Sequence, residues 1–274
     1  MAEAAAAAAR APAEWAEWRT ARTASLAAPD SWFGLIGLFW LEEGSNAVGA
    51  DAAASVVLPA GPALLGHLDC VGGTVTWRPL AGPPTVLATD AGGEPTRVSH
   101  GALAFFVIER DGRLAVRLRD LDWAAKRQPP FSGVDCFAYD PAWRIEAEWK
   151  PLDPPRTMDV PNVSGDLKTV RVEWQAVFHV GATEVALLPM SVPETGEGSV
   201  FFVFRDATSG RQSYGAGRFL HAGAPAGGRL VLDFNRACNP PCAFTPFATC
   251  PLPPPENWLP FPIEAGERKL SVTP

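Results

Sequence analysis

Hydrophobic and polar positions change rhythm several times along this chain. Residues 1–12 form an alanine-rich tail without amphipathic period, expected to fray. Residues 14–28 then place Trp15, Trp18 and Leu26 on one broad helical face, with Pro12 near the first turn and Pro29 as the stop. Two tryptophans on one short helix predict docking onto the body of the protein, because each ring buries a large area. Segment 31–41 is apolar throughout and is expected to be buried. From 46 to 120, short apolar runs alternate with glycine turns, at 55–58, 68–71, 74–78, 85–88, 103–109 and 114–119. Asp111-Gly112 between the last two signals a hairpin. Leu114, Val116 and Leu118 share one face of 114–119, with Arg117 and Arg119 on the other.

Period-two alternation returns after a polar stretch. Trp143, Ile145, Ala147 and Trp149 face one way, and Arg144, Glu146 and Glu148 the other. Val170, Val172, Trp174, Ala176, Phe178 and Val180 repeat the pattern, which reads as half-buried antiparallel strands. Segment 199–204 is apolar without alternation, so both of its faces should be covered. Segment 206–210 predicts a turn that leads into a second hairpin arm at 211–214. The result is a mainly β fold. A tail and helix at 1–30 precede a first β subdomain at 31–122, a linker at 123–139 and a second β subdomain, meander-like or barrel-like, at 140–274.

Composition narrows the classes. The 274 residues are 47% hydrophobic, enough for a sizeable core. Lys plus Arg is 23 against 30 Asp plus Glu, a net charge of −7, with no basic run. That balance opposes nucleic acid and anionic membrane surfaces as partners. No apolar run approaches the roughly 20 residues that span a bilayer. The alanine-rich start lacks the basic and leucine-rich regions of a signal peptide, so a cytoplasmic location is expected. Five cysteines in that compartment predict thiols rather than bridges.

The first half resembles a forkhead-associated β-sandwich over about 75 residues. The residues that carry the likeness are Asn46-Ala47-Val48-Gly49, the strand ending Leu58-Pro59, and His100-Gly101 before 103–109. That family binds phosphothreonine through an Arg after the first glycine, a Ser-Arg-x-x-His loop and an Asn-Gly turn. Here Ala50 follows Gly49, the loop reads Leu64-Leu65-Gly66-His67, and no Asn-Gly occurs. The resemblance implies a fold and not that function.

A second resemblance is to the bacterial domain of unknown function 1684, expected over nearly the whole chain. It rests on Trp32-Phe33-Gly34-Leu35 with Gly37-Leu38-Phe39-Trp40-Leu41, on Arg119-Asp120, on Phe131-Ser132-Gly133, and on Asp206-Ala207-Thr208-Ser209-Gly210 with Tyr214. It continues through Gly217-Arg218-Phe219-Leu220, Asp233-Phe234-Asn235-Arg236-Ala237, Asn239-Pro240-Pro241-Cys242, Cys250-Pro251-Leu252-Pro253-Pro254, Glu256-Asn257 and Ala265-Gly266-Glu267. Cys238 departs from the tyrosine expected there.

The stretch 230–263 concentrates polar chemistry among prolines. Asp233 and Asn235 are two apart on a strand and leave the same face, and Asn239 follows on a proline-stiffened turn. The three form a catalytic candidate, with Asp233 as general base and the amides positioning a substrate. They are equally readable as a buried network that locks an irregular backbone. Arg119, Arg144, Tyr214, Arg218, Glu256 and Asn257 are the candidate substrate-binding groups, because arginine forks suit carboxylates and phosphates. Cys238, Cys242 and Cys250 lack metal-pair spacing, so no metal site is expected and packed thiols are. No nucleophile-elbow, dinucleotide or phosphate-loop motif occurs, so no cofactor is implied.

The functional expectation is a cofactor-independent, hydrolase-like enzyme acting on a small anionic metabolite at the subdomain junction. The alternative is a non-catalytic small-molecule binding protein. A peptide-binding module through the forkhead-like half comes third. Nothing in the chain indicates an oligomeric state.

Overall fold

The computed structural model describes residues 2–163, 165–193 and 198–271. The chain divides into two compact units. One comprises Met1–Leu26 with Ser132–Pro274, and the other Ala27–Phe131.

The 27–131 unit contains nine strands: β1 (Leu35–Trp40), β2 (Gly44–Gly49), β3 (Val56–Val57), β4 (Gly66–Val71), β5 (Thr74–Pro79), β6 (Thr85–Leu87), β7 (Val98–His100), β8 (Leu103–Arg110) and β9 (Arg113–Asp120). They form two sheets, ordered β1-β9-β8-β7 and β3-β2-β4-β5-β6. Val48, Leu68, Val75 and Trp77 of one sheet share a core with Phe105, Val107, Val116 and Leu118 of the other. Trp77 meets Phe105 edge-on at 5.3 Å. The alternation that predicted strands is the inward face of this sandwich.

The Asp111-Gly112 turn forms as expected. Arg110 pairs with Arg113, and both intervening residues have positive φ, 50° and 75°. Positive φ at both central positions is what a two-residue turn needs to match strand twist. Gly49 marks a different constraint. A Cβ there would lie 2.0 Å from the Ala63 carbonyl oxygen. Gly49→Ala should therefore cost about 1–3 kcal/mol through overpacking, measured as a lower urea midpoint at unchanged m-value.

Arg117 and Arg119 lie opposite Leu114, Val116 and Leu118 as expected, yet they are buried too, because β9 is covered on both sides. Their guanidinium carbons lie 5.2 and 5.8 Å from the Trp32 ring centre, and Arg119 donates to the Asp30 and Ser31 carbonyls. An arginine stem and a flat cation can cover apolar surface, so alternation of residue type understated burial.

The other unit begins with helix α1 (Ala2–Ala27). It runs through the alanine tail that was expected to fray, consistent with the high helix propensity of alanine, and carries Pro12 inside it. Trp15 Nε1 donates to the Asn235 carbonyl at 2.9 Å, so the helix docks through a tryptophan as predicted. The single turn α2 (Trp123–Lys126) belongs to the 27–131 unit.

Among the described residues, the unit that contains α1 has six strands: β10 (Arg144–Pro161), β11 (Leu167–Val180), β12 (Thr183–Leu187), β13 (Val200–Phe204), β14 (Arg218–Ala222) and β15 (Arg229–Asp233). One sheet is ordered β12-β11-β10-β15, and β13 pairs with β14. The long β10–β11 ladder breaks register between Pro151 and Arg156, a bulge that bends the pair. Ala147, Trp149, Ala176 and Phe178 pack with Phe202, Phe204, Leu220, Leu232 and Phe234. β13 is buried on both faces, as its unbroken apolar run predicted. The expected hairpin arm at 211–214 is absent. Thr208 O instead accepts N–H groups from Arg211, Gln212 and Ser213, and the Thr208 hydroxyl bonds Ser213 Oγ at 2.7 Å. A local carbonyl-centred turn, pinned by a hydroxyl pair, has replaced a ladder. Among the described residues, no helix is long and apolar enough to cross a membrane.

Candidate functional site

Asp233 ends β15, where the strand tightens into a 3-10 turn over Phe234–Arg236. Asp233 Oδ1 accepts from the Asn235 backbone N–H at 3.2 Å and from Asn235 Nδ2 at 3.0 Å. Its other oxygen lies 3.5 Å from Arg236 Nε. Asn235 is 1% exposed, and its amide exchanges two bonds with the backbone of Asp140. Asn235 thus lies in the 3-10 turn and not on the strand that the spacing assumed, and Asp233 meets it through that turn. Asn235 in turn holds backbone 95 residues away in sequence.

Asn239 is equally occupied. Its N–H donates to Glu267 Oε2 at 2.6 Å, and its Nδ2 donates to the Arg268 carbonyl at 2.8 Å. Arg22 of α1 reaches the same turn, with Nε on Glu267 Oε1 at 2.9 Å and Nη2 on the Asn239 carbonyl at 3.0 Å. Burial works to lower the Arg22 pKa, but Glu267 outweighs it and holds the guanidinium above its ordinary value.

Arg218 is deeper still, at 0% exposure. Its Nη2 bonds Asp206 Oδ2 at 2.7 Å and the Ile263 carbonyl at 3.0 Å, while Nη1 bonds the Ala265 carbonyl. Burial pulls its pKa down against the pull of Asp206. Asn257, also 0% exposed, accepts from Leu188 N–H and donates to the Leu188 and Val203 carbonyls. Arg119 is bound to carbonyls within its own unit. Arg144 and Glu256 are exposed at the surface. Tyr214 is half-buried and donates to the Cys242 carbonyl at 2.9 Å. Most of the sequence-predicted set is therefore backbone-binding hardware. Asp233, Asn235 and Asn239 gather around the turns 233–239, but Arg218 and Asn257 serve other loops, and Arg119 lies in the other unit.

Sequence reasoning missed the open feature. A cleft of about 720 Å³ indents the 27–131 unit. Its apolar wall includes Ile36, Leu103 and Leu118, and its polar end holds His100, Asp120 and Lys126. Leu118 and Asp120 alternate onto the same face of β9, and Leu103 is in register with Asp120. Asp120 is fixed by the Asp122 N–H at 3.0 Å and by Lys126, whose side chain is 62% exposed. The acid is thus anchored and the amine keeps free donor capacity toward solvent. Asp120 stood out in the sequence only within a family motif, and the His100-Gly101 turn only as a fold signal. Among the described residues, no three His, Cys, Asp or Glu side chains are grouped to hold a metal ion.

Comparison with known proteins places the C-terminal half of the chain in one family. No curated protein matches the chain. A solution NMR structure of an uncharacterized protein from Haloarcula marismortui is 34% identical over 50% of this chain and 77% of its own, with a TM-score of 0.41. The family model for DUF1684, a protein family of unknown function, matches residues 129–268, about half the chain rather than nearly all of it. The match includes the turns held by Asp233, Asn235, Asn239 and Arg218 and leaves out the cleft. The chain belongs to the DUF1684 family.

Proposed function

We propose that this protein binds a small amphipathic carboxylate in the cleft of the 27–131 unit, without chemistry on it. The observation that carries the reading is the cleft itself, which joins an apolar wall to an ammonium with unused donors. Ligand sites are typically concave and mainly apolar, with a few convergent polar groups, and about 720 Å³ falls in their usual range. An aliphatic or aryl body would lie against Ile36, Leu103 and Leu118. Its carboxylate would meet Lys126 and His100. The hydrolase-like alternative needs Asp233 as a base, yet both of its oxygens already face partners that shape the 3-10 turn.

The test is calorimetric titration with medium-chain and aryl carboxylates, each against its uncharged alcohol. The carboxylate should bind more tightly than the alcohol. Lys126→Ala should weaken the carboxylate about 2–5-fold, the worth of an exposed ion pair, and leave the alcohol unchanged. Ala60→Trp, which fills the cleft mouth, should abolish both. Binding that survives Ala60→Trp, or no binding by either class, would reject the cleft as the site.

A further inference from the structure

Three side chains from separate turns converge in the 132–274 part of the chain. Cys242 sits in a single 3-10 turn over Pro241–Ala243, between prolines that stiffen its entry. Cys250 lies eight residues on, in a loop anchored at both sides. The Cys250 carbonyl accepts from Val163 N–H at 3.0 Å, and Leu252 N–H donates to the Pro161 carbonyl at 2.7 Å. Tyr214 comes from the 206–217 loop. Its hydroxyl donates to the Cys242 carbonyl at 2.9 Å. The Cys242 backbone N–H donates to Cys250 Sγ at 3.3 Å, which sets the second sulfur against the first cysteine. Cys242 is half-buried, whereas Cys250 is 4% exposed. Cys242 is therefore the more accessible residue of the pair.

We propose that Cys242 and Cys250 form a redox dithiol that reacts with hydroperoxides, with Cys242 attacking, Cys250 resolving and Tyr214 as a positioning residue. The Cys242 thiolate attacks the outer peroxide oxygen, the O–O bond breaks, and an alcohol or water leaves with one proton. Cys242 becomes a sulfenic acid. Cys250 sulfur then displaces its hydroxyl, forming the S–S bond and releasing a second water. Two thiols lose two electrons and two protons, and the hydroperoxide accepts them.

The surroundings suit the roles. The neighbouring Cys250 and Tyr214 side chains bring the Cys242 thiol down to about 7, against the effect of burial. Burial and the adjoining sulfurs push Tyr214 well above its ordinary value, so it remains a protonated donor. The other cysteines contrast with this. Burial raises Cys70, Cys136 to about 11, and Cys238 to about 12. At pH 7 Cys242 therefore holds far more thiolate than Cys136. The more basic thiolate is intrinsically about 100-fold more nucleophilic, so Cys242 should still react at least about tenfold faster.

The experiment treats the full chain with one equivalent of hydrogen peroxide at pH 7, alkylates the remaining thiols and maps the peptides without reduction. The expected result is a Cys242–Cys250 cross-linked peptide, with Cys70, Cys136 and Cys238 alkylated. Cys250→Ser should leave a Cys242 sulfenic acid that dimedone captures, and Cys242→Ser should leave no such adduct on Cys250. Tyr214→Phe should slow oxidation several-fold at pH 7 and move its pH midpoint upward, while Tyr214→Trp, which keeps a donor, should slow it less. A cross-link of any other pair, oxidation no faster at Cys242 than at Cys136, or full alkylation of Cys242 after peroxide would overturn the proposal. The wild-type peptide map decides the matter even where a variant folds poorly.

Discussion

Arg218→Met should destabilise the unit that contains it by about 3–5 kcal/mol, the cost of removing one partner from a buried ion pair. Domains of this kind are held by roughly 5–15 kcal/mol, so the loss is a large part of the total. The reason is what the guanidinium leaves behind. Both Arg218 and Asp206 have fully buried side chains. Without the arginine, Asp206 keeps only its bonds from the Thr208 and Ile263 N–H groups, and the Ile263 and Ala265 carbonyls lose their donor. Methionine replaces the apolar stem beside Phe204 but none of the charge. The measurement is urea unfolding followed by tryptophan fluorescence. Asp206→Asn combined with Arg218→Met should cost less than the sum of the singles, because no lone charge remains inside. A loss under about 1 kcal/mol for Arg218→Met would show that the guanidinium is not the organiser of these loops.

This behaviour explains why so much of the polar signature looked like a site from sequence. Asp233, Asn235 and Asn239 were recognisable as special because acids and amides beside prolines must satisfy irregular backbone or bind something, and both uses select the same residue types. Partner identity separates them, and the partners are remote. Asn235 binds Asp140, and Asn239 binds Arg268 and Glu267. No local pattern encodes those pairings. Strands were easier, because period two is a local property that survives packing. That is why β8, β9, β10 and β11 were legible, along with the Asp111-Gly112 turn. The 211–214 segment was not, because the Thr208 carbonyl three to five residues back captured its N–H groups.

The cleft failed to show for a different reason. Ile36, His100, Leu118 and Lys126 come from four places in the chain, and each has an ordinary explanation alone. A concavity is a property of how sheets meet and loops stop short, and hydropathy carries no record of it. The cysteines are thiols rather than bridges, as expected. Their spacing carries no record of the placement of the Cys250 sulfur beside the Cys242 backbone, because that contact depends on how two loops are anchored.

Asn257→Ala should cost about 3–5 kcal/mol, while Glu256→Ala next to it stays within about 0.5 kcal/mol. Both residues were candidates for holding a substrate, and the pair makes a sharp comparison. Glu256 is exposed, and Asn257 is 0% exposed. The Asn257 amide accepts from Leu188 N–H at 2.9 Å and donates to the Leu188 and Val203 carbonyls at 2.8 and 2.9 Å. It joins the end of β12 to β13 where no ladder does. Alanine leaves one buried N–H and two carbonyls short of a partner, each worth about 1–3 kcal/mol before relaxation. Asn257→Asp sharpens the test. A carboxylate could still accept from Leu188, but it would face two carbonyl oxygens in a buried site, and its folded pKa would rise above the unfolded value of about 3.9. The sign follows from linkage: the folded state then binds the proton more tightly, so this variant should gain stability relative to wild type as pH falls from 7 toward 4. Unfolding curves at pH 7 and pH 5 measure it. A deficit that is small and independent of pH would mean that Asn257 is not the clamp between these strands, and would return it to the pool of ligand-binding candidates.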